Sequence, residues 1–235
     1  MKVQAQVKFA FLASTAFLMA VVGGFTDVIG FVGVNKLFTA HITGNIVVAI
    51  AEIINHTPGA AAKIIALPLF VTLAMLVAML IEKYGQTKAL LAFWFAVEAA
   101  LLMGFMYFGL AVFPHITVVS ALYIAGAMLA VSAMAIHNTL MRTFMLHFPA
   151  CTVMTGNLTQ FIVDLVSYCG GRWLKYNIET RAQSYKGIKR HGNVLLGFSV
   201  GGMVAVVGYV SMGFWSVFFA IALLVFMALR SLEFF

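Results

Sequence analysis

The tripeptide Thr-Gly-Asn occurs twice in this chain, at Thr43-Gly44-Asn45 and at Thr155-Gly156-Asn157, 112 residues apart in a sequence of 235. The two copies share more than the tripeptide. An acid follows each asparagine by seven residues, Glu52 after Asn45 and Asp164 after Asn157. A second threonine precedes each copy, Thr39 and Thr152, and the surrounding residues are apolar. This is the signature of an internal repeat, which constrains the fold more than any local pattern, because two halves of the chain must build related units.

Composition identifies the solvent of those units. Apolar types make up 63% of the residues and charged types 9%. Runs of about 20 apolar residues read as membrane spans, and they fall at 9–33, 60–81, 89–112, 116–138, 194–212 and 215–232. The net charge of +7 sits in short loops beside these runs, a membrane-flank pattern rather than a nucleic-acid face. Lys2 and Lys8 precede the first run without a small-residue cleavage site, so it reads as a retained span and not a signal peptide. Cys151 and Cys169 have no metal-ligand spacing and are expected to pack rather than pair. No cofactor is expected. The expected partners are the lipid bilayer and a small-molecule solute, without nucleic acid; a homo-oligomer is compatible with the sequence.

The two motif segments, 38–55 and 150–168, are poor spans. Phe38 to Ile42 alternates apolar and polar side chains, and Thr43 has the chemistry of a helix N-cap. About ten apolar-rich residues follow, roughly 15 Å of helix, or half a bilayer core. Thr159, Gln160 and Asp164 interrupt the second segment. If both segments cross fully, 10 of the 14 Lys and Arg lie inside; if both are re-entrant, 12 do, leaving Lys36 and Lys63 outside. The positive-inside rule favours the second arrangement. The expected fold is an all-α polytopic membrane protein with an inverted internal repeat. Each half, 1–113 and 114–235, would hold three spans and one re-entrant half-helix. Residues 172–193 would form a basic cytoplasmic segment at the lipid surface, with Trp173 and Tyr176 at the interface. Gly197 and Gly201 have the spacing of close helix packing.

Two half-helices entering from opposite faces would bring their N-termini, with free N–H groups and positive dipole ends, together near the midplane. That suits an anionic or carbonyl-bearing solute. The candidate solute ligands are Thr39, His41, Thr43, Gly44 and Asn45 in the first copy, and Thr152, Thr155, Gly156, Asn157 and Gln160 in the second. Candidates for proton coupling are the acids Asp27, Glu52, Glu98 and Asp164, with His137 and Asn138, because ionisable groups in spans are costly and mark function. Asp27 lies sixteen residues before Thr43 and Asn138 seventeen before Thr155, so an acid and its neutral isostere occupy nearly corresponding points.

The motifs His41-Ile42-Thr43-Gly44-Asn45 and Val153-Met154-Thr155-Gly156-Asn157, with Gly24-Phe25-Thr26-Asp27 before the first and residues 137–142 before the second, resemble the YoaK-like family of bacterial inner-membrane proteins, a domain of unknown function. The resemblance covers nearly the whole chain. Ile42 stands where methionine is common, a conservative departure. The resemblance implies a polytopic protein of the bacterial inner membrane and supplies no substrate. The expected activity is that of a transporter-like permease moving a small solute, with an anion and proton coupling both within its chemistry. The alternatives are a passive channel of similar topology and a non-transport scaffold or assembly protein. No HExxH, GxSxG or paired-aspartate protease motif supports an enzyme.

Overall fold

The computed structural model describes residues 2–170 and 178–234, so Arg172, Trp173 and Tyr176 lie outside the described residues. The described residues form eight α-helices: α1 (Lys2–Gly33), α2 (Ile42–Ile54), α3 (Ala60–Tyr84), α4 (Lys88–Ala111), α5 (Ala121–Thr143), α6 (Met154–Cys169), α7 (Ile178–Met212) and α8 (Val217–Phe234). No strand occurs among them. In an apolar solvent a helix satisfies its own backbone, which is why the apolar runs take this form. Five stretches are long and apolar enough to cross a membrane. The last, Glu179–Glu233, has 55 residues and would reach about 80 Å if straight. The 3₁₀ turn Gly213–Ser216 divides it into α7 and α8, with Gly213 in the left-handed region at φ +58°.

Several boundaries differ from expectation. The span expected at 116–138 begins at Ala121 and runs to Thr143. Pro114 holds a 3₁₀ turn before it, and the Leu122 amide donates to the Ser120 hydroxyl. His137 and Asn138 therefore lie within α5 and not at its end. The basic segment is helical from Ile178 and continuous with the span after it.

Named contacts give the helix directions. The Asn193 amide donates to the Ala13 carbonyl, and Gly33 lies beside Tyr209, so α1 and α7 run parallel. Glu98 meets His137 while Gly126 lies under Phe108, so α4 and α5 are antiparallel. Arg230 covers the Phe11 ring and Phe219 meets Phe25, so α8 runs against α1. The main pairings are α1 with α7, α3 with α5, α2 with α3, α6 with α7, and α4 with both α5 and α8. The helices α1 and α5 are buried along most of their described length, whereas α3 is largely exposed.

Two helices are too short to cross. The 13 residues of α2 span about 20 Å and the 16 of α6 about 24 Å, against a core of about 30 Å. The start of α2 lies beside Asp27, and the helix runs toward the end of α1, where Asn35 donates to the Pro58 carbonyl. The start of α6 lies beside Asn138, and the helix runs toward the face where α1 begins, with Tyr168 against Tyr185.

The α1–α7 seam is built on glycine. A Cβ at Gly24 would strike the Phe198 carbonyl, one at Gly197 the Phe17 carbonyl, and one at Gly201 the Val21 carbonyl. The spacing of Gly197 and Gly201 is thus used for backbone approach. Gly202 offers a control, since its Cβ would meet Val28 at an ordinary 3.4 Å. Both changes to alanine improve helix propensity by about 1 kcal/mol. We expect Gly201→Ala to destabilise the detergent-solubilised protein by roughly 1–3 kcal/mol or more of overpacking, read as a lower melting temperature, and Gly202→Ala to leave the melting temperature unchanged or higher.

Candidate functional site

The segment between α1 and α2 leaves helical geometry from Leu37 to His41 inside the bundle. Its polar backbone must find partners there. Asn45 supplies two: its Oδ1 accepts from the Phe38 amide at 2.8 Å, and its Nδ2 donates to the Phe38 carbonyl at 2.7 Å. Asp27 supplies two more. Its Oδ1 accepts from the amides of Ala40 at 2.7 Å and His41 at 3.3 Å and lies 3.5 Å from the Thr39 hydroxyl. Its Oδ2 lies 2.6 Å from His41 Nδ1.

This overturns the N-cap expectation. His41 occupies the cap position, and Thr43 lies inside the first turn of α2. The Asp27 carboxylate, reaching over from α1, accepts the N–H groups of the two residues just before the helix. A carboxylate is a stronger acceptor than a hydroxyl for such groups. Val153, with no side-chain cap bond, precedes α6 in the same way.

The second copy repeats the bracing with weaker groups. Asn157 Nδ2 donates to the Ala150 carbonyl at 2.7 Å, again across seven residues. The Thr152 hydroxyl donates to Asn138 Oδ1, and Asn138 Nδ2 donates to the Met134 carbonyl. Asp27 with His41 and Asn138 with Thr152 thus make the same fourteen-residue link. Both motif asparagines are buried and committed to backbone, while the small Gly44 admits the Phe38 ring against the first turn of α2.

Two cavities meet at the first motif. One, of about 450 Å³, has Asp27, Phe38, His41, Thr43, Gly44 and Phe198 in its wall. The other, of about 510 Å³, lies between the two motif entrances. Its wall includes His41 and Thr43 from one, Thr152 and Val153 from the other, and Asn138 and Arg142 from α5. His41 and Thr43 line both and so form the partition between them. Thr39 is buried behind Asp27. Thr155, Gly156 and Gln160 line neither cavity; they are exposed on α6, and Gln160 donates to Asp164.

The remaining ionisable candidates occupy three other places. Glu98 and His137 form a fully buried pair between α4 and α5. His137 Nδ1 lies 2.8 Å from Glu98 Oε2, and Nε2 lies 2.9 Å from the Met19 carbonyl. A carbonyl only accepts, so Nε2 carries a hydrogen, and the titrating proton is shared between Nδ1 and Oε2. Glu52 is bound by Lys63 at 2.9 Å, and Lys63 also donates to the Asn35 carbonyl. Asp164 lies 3.4 Å from His191. Each acid of the repeat thus ties its short helix to the helix that follows. Sequence reasoning counted Lys63 only as a flanking charge and Arg142 only as a loop charge. Arg142 sits one turn after Asn138, and that i, i+4 spacing was the available signal. Phe198 had no signal of its own.

Two pairs of variants test these roles. Lys63→Met should cost about 3–5 kcal/mol by leaving Glu52 buried and unpaired, and Glu52→Leu/Lys63→Met should recover most of it; both are read from thermal melts. Asp27→Asn should cost about 1–3 kcal/mol. Adding His41→Thr, which recreates the Asn138–Thr152 link, should restore at least half of that loss.

Comparison with curated proteins and with solved structures finds no match. A family model described as a protein of unknown function, DUF1275, matches residues 15–230. With nearly all of its helical bundle inside that match, the chain belongs to the DUF1275 family of proteins of unknown function, which includes the YoaK-like proteins.

Proposed function

We propose that this membrane protein is a permease for a small anionic solute, which occupies the cavity between the two motif entrances. The observation that carries the reading is the wall of that cavity. It joins the approaches to α2 and α6, which run in opposite directions, with the Arg142 guanidinium and the Asn138 amide side chain. Helix starts attract anions, and an arginine fork grips carboxylate or phosphate groups with parallel hydrogen bonds. Broken helices that meet within the bilayer are the usual substrate sites of secondary transporters.

An inverted repeat underlies this reading. It is supported by the matched seven-residue braces of Asn45 and Asn157 and by the matched links of Asp27 and Asn138. It is supported too by pairing that exchanges the halves, α1 on α7 and α5 on α3. The protein resides in the bacterial inner membrane with both termini cytoplasmic. With Lys63 neutralised by Glu52, Lys36 is left as the one uncompensated cation on the far side of that topology. His41 divides the two cavities and carries the proton that couples transport, through Asp27. The buried Glu98–His137 pair is the second proton store.

Reconstituted protein should give counterflow of at least one member of a labelled panel of small carboxylates, phosphate and sulfate, with saturation. Arg142→Gln should raise KM roughly 10- to 100-fold, the worth of a charge-assisted hydrogen bond. Asp27→Asn, if folded, should retain exchange and lose accumulation driven by a proton gradient. Unsaturable flux would favour a channel. Cysteines placed at Lys36 and Lys83, with Cys151 and Cys169 replaced, should label from opposite sides; labelling from one side rules out the inverted topology.

A further inference from the structure

We propose that a third cavity, between α7, α1 and the loop before α6, binds the phosphate of an anionic lipid headgroup. This site is independent of the permease reading. The cavity has a volume of about 750 Å³ and two unlike walls. Lys186, Lys189 and Arg190 of α7 line one, with Tyr185 beside Lys189, while Ala13 and Phe148 contribute apolar surface to the other. Among the described residues none of the three cations has an acidic partner. Asp164, the acid that α6 presents to α7, is taken by His191 and Gln160. Arg190 Nε is buried and has no hydrogen-bond partner among the described residues. Lys189 is held with its ammonium 4.5 Å from the Tyr185 ring centre, and Tyr185 packs on Tyr168. A cluster of three like charges without counter-ions is unfavourable by itself and favourable around a phosphate.

Depth identifies the source of that phosphate. The 35 residues of α7 extend about 52 Å, well beyond a bilayer core. Asn193 is level with Ala13, about one turn inside the first apolar run at 9–33. Counting outward along α7, Arg190, Lys189 and Lys186 stand about 4 to 10 Å beyond Asn193, in the headgroup layer. Tyrosines collect at that level. The apolar wall formed by Phe148 and Ala13 runs inward from it, as acyl chains do. A free phosphate ion would have no use for that wall.

The full-length protein, solubilised in detergent, can be titrated with dioleoyl phosphatidylglycerol, with dioleoyl phosphatidylcholine and with inorganic phosphate, and bound species counted by native mass spectrometry. One phosphatidylglycerol should bind at least about ten-fold more tightly than phosphatidylcholine. Lys186 and Lys189 are both exposed, so Lys186→Gln/Lys189→Gln should fold, with unchanged elution and melting temperature. It should lose about ten- to thirty-fold in phosphatidylglycerol affinity. Lys83→Gln/Lys88→Gln removes the same charge elsewhere and should lose nothing. Equal binding of the two lipids, or equal loss in both variants, overturns the proposal. So does inorganic phosphate that binds as tightly as the lipid and displaces it.

Discussion

Everything near the first motif depends on one carboxylate. The chain must leave helical geometry between Leu37 and His41, within a bundle that has little water to offer its amides. Asp27 accepts two of those amides and meets a histidine ring, and Asn45 takes both polar groups of Phe38. With these bonds made, α2 can begin inside the bundle. The cost of burying Asp27 is offset because each of its oxygens is engaged. The same engagement makes it chemically versatile, since its second oxygen holds His41 at the boundary between two cavities.

The second constraint is the close approach of α1 and α7. A membrane bundle gains little from the hydrophobic effect, because lipid is as apolar as leucine, so association rests on contact and small residues. Three glycines place backbone against backbone along this seam. The parallel pair that results positions Asn193 on the Ala13 carbonyl and holds Phe198 against Asp27 and His41 in the cavity wall. Glycine packing along this seam therefore helps to set the geometry of the candidate site.

Four of the chain's seven acids divide their labour by position. Glu52 and Asp164 lie late in the short helices and serve as anchors to the helix that follows. Glu98 is sealed with His137 in the core. Of these four acids, Asp27 is the one that is buried and also lines one of the cavities at the first motif. A buried pair such as Glu52–Lys63 adds specificity more than stability, since its desolvation nearly cancels its attraction. Its value here is registry: it fixes where α2 sits against α3.

The sequence by itself determined the membrane class, the approximate placement of the long helices and the inadequate length of the two motif helices. Each of these is a sum or spacing along the chain, so burial and length follow without knowledge of neighbours. Only the tertiary structure decided which atoms meet. The motif asparagines face backbone and not a cavity, Thr43 is not the cap, Lys63 is a buried partner and Arg142 faces the cavity between the motif entrances. Thr155 and Gln160 line neither cavity, although the repeat matches Thr155 to Thr43, which lines both. For Thr43 and Lys63 the deciding partner lies on another helix, and for the two asparagines it is backbone seven residues upstream. Helical periodicity says which residues share a face, but which helix covers that face depends on glycine seams and turns between distant segments, and no local pattern encodes it.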